Sequence, residues 1–169
     1  MQSGCMASSP EFADAPSEIR RRTPSLEKGA VDYGLLAELT GFSVKLVWIL
    51  GYDLLAREFG ESGITPHRFS ALEIIGRNPG LQQSQLAAAL AVSRPATTLA
   101  VDFWEERGCV ERRSTPGDRR SVGVFMTARG DEELARLRAK VREADIALTA
   151  NLDPAEIAEL RRLLRKIHR

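Results

Sequence analysis

The stretch Ser93–Gly130 reads SRPATTLAVDFWEERGCVERRSTPGDRRSVGVFMTARG, and it decides the fold. Ser93 is a good helix cap, and Pro95 falls in the first turn, where the missing N–H of proline costs little. Apolar residues then recur at helical spacing, which predicts a helix with these side chains turned inward: Ala96, Leu99, Ala100, Phe103 and Trp104. After Gly108 the period drops to two around a Pro-Gly turn, which predicts a β-hairpin with Val122, Val124 and Met126 on one face.

The sequence on either side of this stretch predicts further helices. An apolar stripe from Leu35 to Leu54 predicts one helix of nearly thirty residues, from Tyr33 to about Gly60. Two shorter helices follow, over 65–78 and 82–90. After the hairpin, a helix opening at Thr127 and a last helix capped by Asp153 complete the pattern. In chain order, the predicted inward faces of these four helices are Phe69, Leu72 and Ile75; Leu86, Ala87 and Leu90; Leu134, Leu137, Val141, Ala144 and Leu148; and Ile157, Leu160, Leu164 and Ile167.

The composition is typical of a globular protein. The chain has 169 residues, of which 43% are hydrophobic and 28% charged, and a formal net charge of +1. No apolar run approaches the ~18 residues that a membrane span needs, and no signal peptide is evident, so we expect a cytoplasmic protein. The first 32 residues, rich in Ser, Pro and charge, are expected to form a flexible arm.

Catalysis and metal binding find no support in the sequence. The only histidines, His67 and His168, are far apart, and no phosphate loop, metal-ligand spacing or nucleophile motif is present. We therefore expect no enzyme activity, no cofactor and no metal. Cys109 occupies an apolar position, which favours a buried structural thiol over a redox sensor, and Cys5 lies in a polar tail.

The order of elements predicts a helix-turn-helix followed by a β-hairpin wing, which suits double-stranded DNA. The second helix of such a pair enters the major groove with its first turn near base edges. In that turn Arg94 could bond guanine, and Thr97 and Thr98 offer hydroxyls and methyls. Phosphate contact is expected from Gln82 and Ser84. The full set of predicted DNA contacts is Gln82, Ser84, Ser93, Arg94, Pro95, Thr97, Thr98, Arg112, Asp118, Arg119 and Arg120.

The helix-and-wing stretch, with its basic "ERR", its "DRRSV" after the turn and "MTARG" opening the next helix, resembles the multiple antibiotic resistance regulator (MarR) family of winged-helix repressors. The resemblance covers roughly residues 33–169 and implies a mainly α fold with a small β-hairpin wing, in which N- and C-terminal helices dimerise. It implies dimerisation helices over 33–63 and 128–169, and a DNA-binding domain over 64–127. Asp118 and Arg120 match the wing-tip motif, in which Arg120 or Arg119 enters the minor groove while Asp118 orients a guanidinium.

The resemblance further implies a homodimer, a pseudo-palindromic operator and a small effector, aromatic and anionic, such as a phenolic acid or its acyl-CoA thioester. The residues expected to bind it are Trp48, Tyr52, Arg57, His67, Arg68 and Phe69, although Trp48 and Tyr52 could equally be core or interface residues. Two alternatives remain open. One is a winged-helix module used only for dimerisation or protein contact, and the other is a regulator that senses oxidation through Cys109.

Overall fold

The structure is a computed structural model that describes residues 31–115 and 118–167, without the side chains of residues 115–121. The described chain is mainly helical with one two-stranded sheet, as predicted. In chain order its elements are α1 (Thr40–Phe59), α2 (Pro66–Arg77), α3 (Gln83–Leu90), α4 (Arg94–Glu106), β1 (Val110–Thr115), β2 (Asp118–Met126), α5 (Ala128–Leu148) and α6 (Pro154–Ile167).

The described residues divide into two compact units. The winged unit comprises His67–Leu134 and contains α2, α3, α4, the sheet and the start of α5. The helical unit comprises residues 31–66 and 135–167 and contains α1, the rest of α5 and α6. In the described ranges no single helix is long and apolar enough to cross a membrane, and α3 and α4 reach that size only as a pair bent by 111°.

The core of the winged unit centres on Trp104, which is fully buried as predicted. Its indole Nε1–H donates to the carbonyl of Arg68 in α2 at 2.7 Å, so the one polar atom of the side chain is satisfied. Phe103 packs edge-on to it, with ring centroids 4.9 Å apart. The other buried hydrophobic side chains of this core are Ala71, Leu72, Ile75, Leu86, Ala87, Ala100, Val101, Cys109, Val110, Val124, Phe125 and Leu134.

A tight turn joins α3 to α4. Ala91 ends α3 in the left-handed region, with φ of 53°, and Val92 N donates back to the carbonyl of Ala87 at 3.1 Å. Ser93 then caps α4, because its Oγ accepts from Ala96 N at 3.3 Å. The predicted cap is thus confirmed, and it sets the start of α4 at Arg94.

The wing is an antiparallel hairpin in which Val110 pairs with Met126 and Thr115 with Asp118. A third short segment joins it, since Val124 N donates to the carbonyl of Leu81 at 2.9 Å and its carbonyl accepts from Gly80 N at 3.0 Å. Of the predicted face, Val124 is buried and Met126 partly so, but Val122 is 53% exposed. The period of two places Val122 on that face, yet nothing in the described residues covers it.

The start of the chain differs from the prediction of one helix from Tyr33 to Gly60. Leu39 adopts an extended conformation, with φ −89° and ψ 119°, so a short 3-10 helix (Gly34–Glu38) is separated from α1. The start of the predicted stripe is not buried within the described chain either: Leu35 is 68% exposed and Leu39 43%. Hydrophobic spacing reports which residues share a face, and does not by itself report whether that face is covered by the same chain.

The last two helices begin as predicted. Thr127 Oγ1 accepts from Gly130 N at the start of α5, and Asp153 and Glu156 form a reciprocal cap at the start of α6. Along α5, Leu134, Leu137 and Ala144 are buried. The predicted inward face of α6 is wrong for the single chain, because Leu160, Leu164 and Ile167 are exposed and Ile157 is only half-buried.

Gly130 marks the closest approach between α5 and the start of the wing. A Cβ added there would overlap the carbonyl oxygen of Cys109 and the sulfur of Met126. We therefore expect Gly130→Ala to lower the free energy of unfolding by roughly 1–3 kcal/mol, measured by urea denaturation. Gly41→Ala in α1 is the matched control, since its Cβ would meet nothing within 4 Å. It should leave stability unchanged or raised by up to about 1 kcal/mol. Equal losses in both variants would contradict this account of Gly130.

Candidate DNA-binding surface

The outward side of α4 carries polar and exposed residues, while its inner side is committed to the core. Arg94, Pro95, Thr98 and Leu99 are exposed, whereas Ala100, Val101, Phe103 and Trp104 are buried. Arg94, Thr98, Asp102 and Glu105 follow one another at spacings of four and three, so they form one row along the helix. We call this set the outward row. No described residue forms an ion pair with Arg94.

Two assignments along α4 need correction. The prediction that Thr97 contacts DNA is wrong, because Thr97 is fully buried and its Oγ1 donates to the carbonyl of Ser93 at 3.2 Å. Conversely, Leu99 was predicted to face inward but is 65% exposed. Leu99 is one of two large hydrophobic side chains that the described winged unit exposes, the other being Val122. Helical periodicity assigned the apolar residues inward and missed an apolar group on the outward side.

The start of α3 supplies the other predicted contacts of the helix pair. Gln82 and Ser84 are both exposed there. Gln85 Oε1 accepts from Gln82 N at 3.0 Å, which orders the first turn of α3. The N-terminal amides of a helix favour an adjacent phosphate, so this end is chemically suited to the DNA backbone.

Arg112 in β1 is held within the winged unit. Its guanidinium forms ion pairs with Asp102 and Glu105 of α4, and its backbone N–H donates to Glu105 Oε1 at 3.1 Å. With the amide of Gln83 turned to satisfy both groups, its oxygen accepts from Arg112 Nη2 at 2.7 Å and Nε at 3.0 Å. The Arg112 side chain is 24% exposed. The charge of Arg112 is therefore paired within the winged unit, and its predicted contact with DNA stays a prediction.

The other arginine of the first wing strand, Arg113, also has partners inside the protein. Its guanidinium lies over the Phe125 ring at 3.9 Å and pairs with Glu111 at 3.3 Å. The wing-tip prediction concerns the side chains of Asp118, Arg119 and Arg120, which lie outside the described residues. Their backbone belongs to β2.

The six residues predicted to bind an effector fall into both units. In the helical unit, the rings of Trp48 and Tyr52 lie 5.6 Å apart at 39°, and Arg57 pairs with Asp53 at 3.1 Å. Asp53 is buried, with 7% of its surface exposed, and no motif or spacing in the sequence marks it.

The other three predicted effector residues belong to the winged unit. Arg68 lies over the Phe103 ring at 4.1 Å, and Phe69 is half-buried. The Nε2 atom of His67 is buried, and no described residue hydrogen-bonds to it. Their part in effector binding stays a prediction.

Cys109 is a buried thiol, 2% exposed, as the sequence predicted. Burial raises the pKa of the Cys109 thiol, and the Glu133 carboxylate raises it further, against smaller opposing effects of Arg129 and Arg107. A raised pKa reduces the thiolate, which is the reactive form. Within the described ranges, no three His, Cys, Asp or Glu residues come together to hold a metal ion.

Comparison with known proteins assigns this helix pair and wing to a family. A model described as MarR family matches residues 62–121. A protein of Thauera aromatica, described as a transcriptional regulatory protein for the hcr operon, is 35% identical over 138 residues, which cover 81% of this chain and 83% of that protein. The chain belongs to the MarR family. It is a transcriptional regulator and not an enzyme, as the sequence predicted.

Solved structures give the same assignment. The repressor CouR bound to a 23-mer DNA duplex superposes with a TM-score of 0.77 at 30% identity, over 83% of this chain and 100% of that one. CouR bound to p-coumaroyl-CoA superposes with a TM-score of 0.72 at 27% identity, over 83% of this chain and 99% of that one. The winged helix-turn-helix is therefore confirmed, and α4 is its recognition helix.

Arg94 opens the recognition helix on its outward side. We expect Arg94→Ala to weaken binding to a duplex selected on the unmodified protein from a randomised pool, by about 1–3 kcal/mol at one salt concentration. Preference at one base position should relax as well, because a bidentate contact to a base edge is lost. Arg142→Ala on the exposed side of α5 removes the same charge and should leave affinity within about twofold. Unchanged affinity in Arg94→Ala would rule out a contact from this residue.

Proposed function

We propose that this MarR-family protein is a ligand-responsive repressor that binds a pseudo-palindromic operator as a homodimer. Its release is triggered by a small aromatic anion, such as a phenolic acid or its acyl-CoA thioester. One observation carries the proposal, namely the unequal distribution of exposed apolar side chains between the two units. The winged unit presents a largely polar recognition helix, whereas the helical unit presents apolar side chains that need a partner.

The helical unit supports a homodimer because its apolar surface is left uncovered. Every large hydrophobic side chain that the described residues expose lies in this unit, except Leu99 and Val122. A concentration of exposed large apolar side chains in one part of a protein points to an interface. The exposed set is Val31, Leu35, Leu36, Leu39, Val44, Val47, Trp48, Ile146, Leu152, Leu160, Leu163, Leu164 and Ile167.

A homodimer agrees with the separate dimerisation and DNA-binding regions that the resemblance implies. We propose that residues 33–63 and 128–169 dimerise and that residues 64–127 bind DNA. Two-fold symmetry then presents two recognition helices, and such proteins read half-sites about 34 Å apart. The contacts proposed for each half-site are Arg94, Pro95 and Thr98 on α4, Ser93 at its cap, Gln82 and Ser84 on α3, and Arg119 or Arg120 with Asp118 at the wing tip.

The proposed effector class rests on a structural relative and on two aromatic rings. CouR, 27% identical over the matched region, was solved bound to p-coumaroyl-CoA. In this chain Trp48 and Tyr52 form an adjacent aromatic pair on α1, and Trp48 is half exposed. Such a pair suits an aromatic acyl group, since ring contacts favour offset or tilted stacking. We propose these two residues as its first contacts.

Neither alternative function gains support from the geometry. A redox sensor needs an accessible thiolate, whereas the Cys109 thiol is buried and its pKa is raised. A module without a DNA target has no need for an exposed arginine at the start of its recognition helix, where Arg94 lies.

The dimer can be tested by disturbing the apolar surface of α6. Sedimentation of the unmodified protein should give about twice the chain mass of 18.6 kDa. Leu164→Glu should shift the population towards monomer, because burying an unpaired carboxylate in an apolar interface is costly. Leu99→Glu on α4 adds the same charge to an exposed leucine of the winged unit and should leave the mass unchanged. A monomeric unmodified protein, with far-ultraviolet circular dichroism showing it folded, would contradict the dimer.

The effector class can be tested on the complex with the selected duplex. We expect p-coumaroyl-CoA to raise the melting temperature of the free protein and to release the labelled duplex, measured by fluorescence anisotropy. Free coenzyme A and p-coumarate, added separately, report which half of the molecule is recognised. Trp48→Ala should require about tenfold more ligand, because the proposed ring contact is lost. If none of the three compounds stabilises the protein or releases the duplex, this effector class is excluded.

A further inference from the structure

The outward row of the recognition helix poses an electrostatic problem. Arg94 and Thr98 are followed along the same row by Asp102 and Glu105, whose carboxylates are 41% and 38% exposed. A duplex held against this row brings its phosphates towards both carboxylates. Like charges at such range repel, and water that would screen them is displaced as the surfaces meet. An unneutralised pair would therefore oppose binding.

Arg112, in the neighbouring strand β1, forms ion pairs with both carboxylates. Its guanidinium binds both carboxylates, and its backbone N–H binds Glu105 as well. On its other side it reaches the amide of Gln83, the first residue of α3. One side chain thus connects β1 to both helices of the helix-turn-helix. Arginine suits this place, because a planar guanidinium offers five donors and holds its charge at any working pH.

We propose that Arg112 is a positioning residue for DNA binding, which neutralises Asp102 and Glu105 and holds the recognition helix to the wing. It acts through these two carboxylates rather than through a phosphate. The proposal rests on DNA binding by α4. Asp102 and Glu105 join α4 to β1 through their ion pairs with Arg112. Arg112 in turn neutralises the negative charge that the two carboxylates would otherwise present to the duplex.

The geometry separates this role from a direct phosphate contact. Two carboxylates and an amide oxygen occupy donors on both Nη atoms and on Nε. Arg94, by contrast, is exposed and forms no ion pair with any described residue. Moving Arg112 to a phosphate would break both ion pairs and leave two carboxylates beside the DNA. That exchange gains one charge contact and loses two.

A double-mutant cycle distinguishes the two roles. Affinity for the selected duplex is measured by anisotropy at one salt concentration, in the unmodified background and in Asp102→Asn/Glu105→Gln, which keeps side-chain shape and removes both charges. We expect Arg112→Ala to weaken binding about tenfold in the unmodified background, the coupling typical of one salt-bridge network. In the neutral background the same substitution should cost less than about twofold. Arg112→Gln, which retains more of the side chain, serves the same comparison if Arg112→Ala does not fold.

Each result decides the question. A large loss in the unmodified background that disappears in the neutral one supports the positioning role. Equal losses in the two backgrounds would overturn it and assign Arg112 to a phosphate, while leaving the proposed repressor function intact. Failure of the unmodified protein to bind any selected duplex would overturn both. Arg94→Ala is the internal control, and it should lose the same factor in each background because Arg94 forms no ion pair with either carboxylate.

Discussion

The contact between the Trp104 indole and the Arg68 carbonyl is the constraint on which the winged unit depends. It ties α4 to α2 through a hydrogen bond in the core, where an unpaired indole N–H would be costly. Guanidinium groups of Arg68 and Arg107 lie over the adjacent Phe103 ring, at 4.1 and 3.6 Å. Because the inner side of α4 is committed to this core, only its opposite side remains for DNA.

Close contacts of the backbone hold the wing within the winged unit. A Cβ at Gly123 would lie 2.5 Å from the carbonyl oxygen of Gly80, so only glycine lets β2 meet the segment before α3 at this distance. Thr127 Oγ1 donates to the carbonyl of Gly108 at 2.6 Å, which joins the end of the wing to its beginning. Arg112 adds a charged link between β1 and α4. Backbone contact thus sets the distance between β2 and the segment before α3, and ion pairing holds β1 to α4.

The helical unit differs from the winged unit in that many of its large apolar side chains are exposed in the described chain. Burying one methylene contributes about 0.8 kcal/mol, so the second copy that we propose would stabilise the helical unit by covering this surface. The break at Leu39 belongs to the same region. Where no core of the same chain covers a stripe, spacing alone cannot decide whether the backbone stays helical throughout.

The sequence by itself determined the order of the elements, the caps at Ser93 and Asp153, the hairpin and the family. These features follow from interactions between residues a few positions apart, so local sequence is sufficient to specify them. Only the tertiary structure decided that Thr97 is buried, that Leu99 is exposed and that Arg112 is paired. Each of these outcomes depends on which distant side chains cover or neutralise the residue. Burial and charge compensation depend on residues that are close in space but distant in the sequence. Local sequence patterns do not identify those residues.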